Sequence, residues 1–300
     1  MLTLFWWGGL YIFLLCAIIF LMFIHNTRSL VYPAFKSKKA IGAFNVHNLE
    51  IFEAILRAAQ KKRAPVIIQT TPKSLKHLSV YYFKKLVESA QKIFPKVAVA
   101  LHLDHGDTLE LIEKCLEAGY SSVMFDGSKL SFEENVKMTK KVKKMAQRFR
   151  VSIEAELGEM PKVGQRIKEQ NLTDPEKARI FLKETKVDFL AVSIGTKHGM
   201  LAKNGTEHIN FEHLEKIHNL INVPLVLHGA SGVGRNELKR ARKFGIAKVN
   251  FDTAIRKIFS LSLRKYLQTH QEEDDPRVYL EQARKSVEKL IREKMEVLSK

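Results

Sequence analysis

From Ala40 onward, short apolar runs alternate with stretches in which apolar residues recur at helical spacing. The runs Ala40–Asn45, Pro65–Gln69, Val97–Leu103, Ser121–Phe125, Ser152–Glu156, Asp188–Ser193, Pro224–His228 and Ala247–Asn250 predict strands. Between them Leu49–Lys62, Val80–Ile93, Thr108–Ala118, Phe132–Arg148, Pro175–Glu184, Glu212–Leu220 and Arg235–Phe244 predict helices. Thr173-Asp174-Pro175 reads as a helix start, with a capping residue ahead of proline. Strands that alternate with amphipathic helices in this rhythm predict an α/β fold, a TIM (β/α)8 barrel. A doubly wound open sheet is disfavoured, because no G-x-G-x-x-G follows the first strand. Thr253–His270 and Asp275–Ser299 predict extra C-terminal helices, split by an acidic turn.

The amino terminus breaks the pattern. Leu4 to Ile24 carries no charge and is long enough to cross a bilayer as a helix. Trp6, Trp7 and Tyr11 suit an interfacial belt, and Arg28, Lys36, Lys38 and Lys39 follow the other end, which would leave the body on the cytoplasmic side. No basic region or small-residue cleavage site marks a signal peptide. Met22 lies inside the run, so an over-extended start is the rival expectation. Residues 1–25 are thus expected as an apolar segment and 26–300 as one barrel, cytoplasmic or anchored to the inner membrane face by residues 4–24.

Composition narrows the function classes. The 300-residue chain is 45% hydrophobic, enough for one large core. Its net charge of +18, from 50 Lys+Arg against 32 Asp+Glu, is compatible with nucleic acid, an anionic membrane or phosphorylated substrates. Much of it is solvated lysine on helix faces, as in Lys137 to Arg150, and no nucleic-acid-binding motif accompanies it. Two cysteines, Cys16 and Cys115, make neither a disulfide framework nor a thiolate site and fit a reducing compartment. A metal would have to be held by histidines and carboxylates.

Strand ends carry such groups. Three strands end in His-Gly: V-A-V-A-L-H-L-D-H-G at His105, F-L-A-V-S-I-G-T-K-H-G at His198 and V-P-L-V-L-H-G-A-S-G at His228. In a parallel barrel these ends meet on one face, where three imidazoles suit Zn²⁺ with an open position for substrate. Asp126 and Glu156 end the strands between, and could orient histidines or supply a second metal position. Gly229-Ala230-Ser231-Gly232 follows the seventh strand, and Asn250-Phe251-Asp252-Thr253 follows the eighth and opens a helix. Small residues and a helix N-terminus at those positions suit a phosphate.

These stretches, together with A-I-G-A-F-N-V-H-N-L-E, S-V-M-F-D-G-S, E-A-E-L-G, K-V-N-F-D-T and D-P-R-V-Y-L-E-Q-A-R, resemble the class II (metal-dependent) fructose-bisphosphate aldolases from about Met22 to Lys300. Family members usually begin about where Met22 falls, which favours the over-extended start. The resemblance implies zinc on His105, His198 and His228, and a second divalent or a monovalent cation, with Asp126 and Glu156 at the second metal position. It implies Asp104 as proton donor to the aldehyde-derived oxygen. Gly199, Gly229, Ala230, Ser231, Asn250, Phe251, Asp252 and Thr253 would bind dihydroxyacetone phosphate, and Thr71 would lie near the other substrate. The expected partners are a phosphorylated sugar and further copies of the chain, in a homodimer or larger homo-oligomer, without nucleic acid. Zinc would polarise the ketone carbonyl, and no strand-end lysine offers a Schiff base. Asp104 is one residue from a ligand, close enough to move a proton.

Two stretches depart from the family. Where members carry a loop of the type G-G-x-E-D, this chain reads Gly158-Glu159-Met160-Pro161, with Glu159 and Glu169 both open as the loop carboxylate. Thr71-Pro72-Lys73-Ser74 is also unusual. Arg256 reaches a second phosphate or is a surface arginine. Fructose and tagatose bisphosphates differ at one hydroxyl and both remain open, as does a catalytically silent, membrane-tethered barrel.

Overall fold

The computed structural model describes residues 24–159, 171–197, 199 and 208–299. His198, Glu169 and residues 1–23 lie outside them. Eight parallel strands close into a barrel in chain order: β1 (Ile41–Asn45), β2 (Val66–Thr70), β3 (Val99–Gly106), β4 (Ser122–Phe125), β5 (Ser152–Leu157), β6 (Phe189–Val192), β7 (Leu225–Leu227) and β8 (Ile246–Phe251), which returns to β1. Each predicted strand is present, with ends shifted by up to three residues.

Eleven α-helices among the described residues follow from local chemistry. Helix α1 (Thr27–Lys36) precedes β1, and α2 (Leu49–Lys62), α3 (Pro72–His77) and α4 (Val80–Ile93) flank β2. Next come α5 (Leu109–Glu117), α6 (Phe132–Arg148), α7 (Pro175–Thr185), α8 (Phe211–Leu220) and α9 (Arg235–Ala241). The outer helices begin at side-chain caps that satisfy free backbone N–H groups: Asn48 for α2, Thr108 for α5, Ser131 in a capping box with Glu134 for α6, and Asp174 for α7. In α2 the buried residues Ile51, Ile55, Ala58 and Ala59 form the expected stripe. The C-terminal pair, α10 (Thr253–Thr269) and α11 (Pro276–Ser299), packs together, and α11 covers α2.

The interior is split along its height. Its lower half is apolar: Ala43, Ile67, Ala100, Met124, Ala191 and Val226 form a separate cluster, roofed from below by Val31 and Ala34 of α1. That helix was not predicted. It is pinned by Arg28, whose guanidinium pairs with the buried carboxylate of Asp188. Alternation then puts Asn45, Gln69, His102, Glu154 and Lys248 inside the upper half, all buried. The lower half supplies packing, and the upper half supplies polar groups to the strand ends.

The N-terminal expectation changes at its boundary only. Ile24 forms a parallel bridge with Val99, and His25 N–H donates to the Val99 carbonyl, so the last two residues of the expected 1–25 segment contact the barrel. Among the described residues, no helix is long and apolar enough to cross a membrane. The transmembrane expectation for residues 4–24 falls outside them except at Ile24.

Candidate active site

Strict alternation would send Asp104 and His105 to opposite faces of β3. The chain avoids this with a slip in the β3–β4 register between Leu103 and Gly106 and a left-handed φ of 52° at His105. A non-glycine residue in that region costs conformational energy and is common at functional sites. Gly106 is required for a second reason, since a Cβ there would lie 2.5 Å from the Met124 carbonyl.

Three amides grip Asp104. Asn45 Nδ2 donates to Oδ2 at 3.0 Å, Gln69 Nε2 to the same oxygen at 3.3 Å, and Asn250 Nδ2 to Oδ1 at 3.1 Å. With 4% exposure, this carboxylate has one orientation.

The two described histidines of the trio meet edge to face, His228 Nδ1 lying 3.1 Å from His105 Nε2. Each ring's far nitrogen faces a carboxylate: His105 Nδ1 is 2.8 Å from Asp126 Oδ2, and His228 Nε2 is 3.0 Å from Glu154 Oε1. With both far nitrogens donating, the two near nitrogens point lone pairs at one another. A shared proton or a cation relieves that arrangement, and so would acceptance at His228 Nε2 from Asn250 Nδ2, 3.2 Å away, which frees Nδ1–H to donate to His105.

The electrostatics agree. Burial alone would lower the His105 imidazole, but Asp104, the hydrogen bond to Asp126, and Glu156 outweigh it and raise it to about 10. Burial pushes Glu156 up to about 8, with Asp126 adding repulsion. Burial opposes ionisation of Asp126 too, yet its contact with His105 holds it well below the usual carboxylate range. Glu156 Oε2 is buried without a hydrogen-bond partner among the described residues. Two overlapping groups, Asp104–His105–His228 and His105–Asp126–Glu156, bring three ligand atoms within 4.8 Å of one another. Imidazoles with carboxylates behind them form a donor set suited to a borderline divalent metal.

Beside this centre opens a cavity of about 340 Å³ whose walls include Thr71, Gly199, Gly229, Ser231, Asp252 and Thr253. Gly229 has φ 67°, and a Cβ there would lie 2.4 Å from the Lys197 carbonyl. Ser231 Oγ accepts from Ala254 N–H at 3.2 Å, tying the loop after β7 to the start of α10. At the rim Arg256 grips Asp252 with contacts of 2.8 to 3.1 Å. Burial would raise Asp252, but His47 and Arg256 bring it down to about 2.

Ten expected site residues therefore converge: Asp104, His105, His228, Asn250 and the six cavity residues just named. Asp126 and Glu156 stand behind His105. The side chains of Ala230 and Phe251 do not reach the cavity; Ala230 is buried, and Phe251 stacks on Phe44 with ring centroids 5.4 Å apart. Thr71 spends its hydroxyl partly on capping α3, accepting from Ser74 N–H at 3.2 Å. Glu159 lies by a second, polar depression between the loops after β4 and β5.

The model for class-II fructose-bisphosphate aldolases matches residues 25–300. The fructose-bisphosphate aldolase of Helicobacter pylori (strain ATCC 700392 / 26695) is 36% identical over 296 residues, 90% of this chain and 96% of that relative. That of Thermus caldophilus is 38% identical over 282 residues, 86% of this chain and 92% of the relative. Among solved structures, the YdjI aldolase from Escherichia coli K12 superposes with a TM-score of 0.79 at 30% identity, covering 92% of this chain and 97% of that one.

The chain belongs to the class-II fructose-bisphosphate aldolase family. As such it is an aldolase, an enzyme of the carbon–carbon lyase class.

Three residues of this aldolase's upper barrel went unassigned in the sequence. Lys248, wholly buried on β8, places Nζ 2.8 Å from Glu154 Oε2. Glu154 thereby joins a buried ammonium to the outer nitrogen of His228. The spacing K-x-N puts Lys248 on the same strand face as Asn250, which was the available signal. His102 donates or accepts at Ser122 Oγ, 2.6 Å from Nδ1, and burial, then Lys248, hold its imidazole well below the usual range. His47, which no strand-end pattern singles out, places Nε2 2.7 Å from Asp252 Oδ1.

Proposed function

We propose that this aldolase cleaves fructose 1,6-bisphosphate to dihydroxyacetone phosphate and glyceraldehyde 3-phosphate, and runs the reverse condensation, with zinc. The observation that carries this reading is the pair of inward-facing imidazole nitrogens with Asp104 beside them. His105, His228 and His198 would hold the ion, His198 lying outside the described residues. Zinc in this position supplies Lewis acidity toward the carbonyl and hydroxyl oxygens of the triose half. Asp126 and Glu156 offer a second divalent position next to His105.

The protein's own groups divide the remaining work. Asp104, fixed by Asn45, Gln69 and Asn250, holds and moves the proton at the oxygen on the aldehyde side. The loop of Gly229 and Ser231 and the start of α10 at Thr253 form a cradle for the triose phosphate, favoured by small residues and the helix dipole. Arg256, at the open end, reaches toward the second phosphate. Exclusion of water falls to the buried upper barrel.

Glu154 and Lys248 set the tautomer of His228. Glu154→Gln is expected to weaken zinc binding about 10- to 100-fold, the usual scale for a carboxylate behind a metal-bound histidine. Competition against a zinc-sensitive dye measures this without any assay of turnover. An unchanged affinity would remove Glu154 from the account.

The reading is tested by supplying the purified protein with zinc and comparing fructose and tagatose 1,6-bisphosphates in a coupled triose phosphate assay. Faster cleavage of the fructose compound is expected. Preference for the tagatose epimer would reassign the substrate, and no cleavage of either would overturn the proposal.

A further inference from the structure

The barrel face opposite the cavity carries a pattern that aldol chemistry does not use. Helices return to strands across this face, so helix C-termini and the residues after them form its surface. Lys38, Arg63, Arg150 and Lys186 stand just beyond the ends of α1, α2, α6 and α7, all exposed. All four have left-handed backbones, with φ of 54°, 50°, 58° and 52°. Helix ends of this shape favour glycine or asparagine, because a Cβ is strained there. Here the basic side chain is present against that backbone preference, at four separate helix ends.

None of the four pairs with an acidic residue among the described residues. The neighbouring Lys61 and Lys62 do, with Glu288 and Glu296, and the exposed acids of this face include Glu184, held by Lys140, and Glu117. Apolar side chains stand among the charges: Ile93 at the end of α4 is 63% exposed, Leu220 at the end of α8 is 40%, and Phe149 beside Arg150 is 38%. The chain also enters here. Ile24 pairs with Val99 at the start of β3, and Asn26 donates to the Arg150 carbonyl at 2.9 Å. The sequence before Ile24 contains no charged side chain.

We propose that this face docks on an anionic phospholipid bilayer, leaving the catalytic cavity turned toward the aqueous phase. Positive charge complements the lipid headgroups, and the apolar tips suit the boundary between headgroups and acyl chains. Apolar tips have no counterpart in a phosphate backbone, which separates this partner from a nucleic acid. The uncharged sequence that joins beside Arg150 is matched to the same bilayer.

The test uses the full chain carrying Cys16→Ser and Ile93→Cys, with an environment-sensitive fluorophore on the new thiol. Cys115 does not compete for the label, being buried with its thiol pushed up to about 12. Phosphatidylcholine vesicles containing phosphatidylserine should shift the probe to the blue at a lipid concentration at least about tenfold below that needed with pure phosphatidylcholine. Each basic residue near such a surface changes partitioning about fivefold. Adding Arg150→Asn and Lys186→Asn should therefore raise the lipid concentration for half the shift at least about tenfold. Asparagine suits the left-handed backbone, so the melting temperature should hold or rise. Equal lipid requirements for both vesicle types, no shift on either, or indifference to the asparagine changes would overturn the proposal. A shift produced by RNA and not by vesicles would assign the face to nucleic acid instead.

Discussion

Asp104→Asn is expected to lower kcat for bisphosphate cleavage by about 10²- to 10⁴-fold, the range for losing a positioned general acid. The replacement keeps the size of the side chain and its carbonyl oxygen can still accept from Asn45 and Gln69, while the new NH2 gives up the contact with Asn250 Nδ2 and the group that exchanges a proton. KM should change by less than about tenfold, because the groups proposed to cradle the phosphate, Gly229, Ser231 and Thr253, line the same cavity as Asp104 but are separate residues. Zinc content, measured on the same preparation, should match the parent protein. A variant that keeps zinc and more than about a tenth of kcat would exclude Asp104 from proton transfer.

Stripping the protein with a chelator is expected to abolish cleavage, and zinc should restore it. Activity that persists through chelation would remove the metal from the mechanism. The stripped protein should also respond to pH in a characteristic way. His105, raised from 6.5 to about 10, stabilises the fold fully below 6.5 and loses that contribution as pH rises through 10. Glu156, raised from 4.5 to about 8, favours the fold in its protonated form, and its contribution fades as pH rises through 8. Both signs agree, and His102, held below its usual range, opposes them only up to about pH 6.5, so the melting temperature of stripped protein should fall from about pH 7 toward pH 10. In the proposed site zinc would take the place of the proton between the imidazoles, and loaded protein should show a flatter profile. A stripped protein that gained stability across that range would contradict the charge arrangement around His105.

Pattern made most of the fold legible, because each outer helix buries one face at its own spacing, and each strand, buried on both faces, reads as a short apolar run. Helices Leu49–Lys62, Val80–Ile93 and Phe132–Arg148 begin and end where their patterns do. α1 escaped because its burial depends on the barrel it closes, and a ten-residue segment containing Pro33 shows little intrinsic helix signal. The site was legible in part for a similar reason. His105, His228 and the small-residue loops lie at strand ends, where position alone predicts convergence. Glu154 and Lys248 matter through each other across the barrel, and no local spacing reports a pair from β5 and β8. His47 also needed the third dimension, since its partner Asp252 belongs to the opposite end of the chain.

The left-handed turn at His105 has a consequence for tolerance. Groups that cooperate in a site usually arrive on separate segments, so their spacing inherits every fluctuation between those segments. Asp104 and His105 are joined by one peptide unit, which fixes their Cα atoms about 3.8 Å apart. In the proposed mechanism the acid is thereby indexed to the metal-facing imidazole by covalent geometry. Loops elsewhere on the rim can drift or be replaced without altering that one distance.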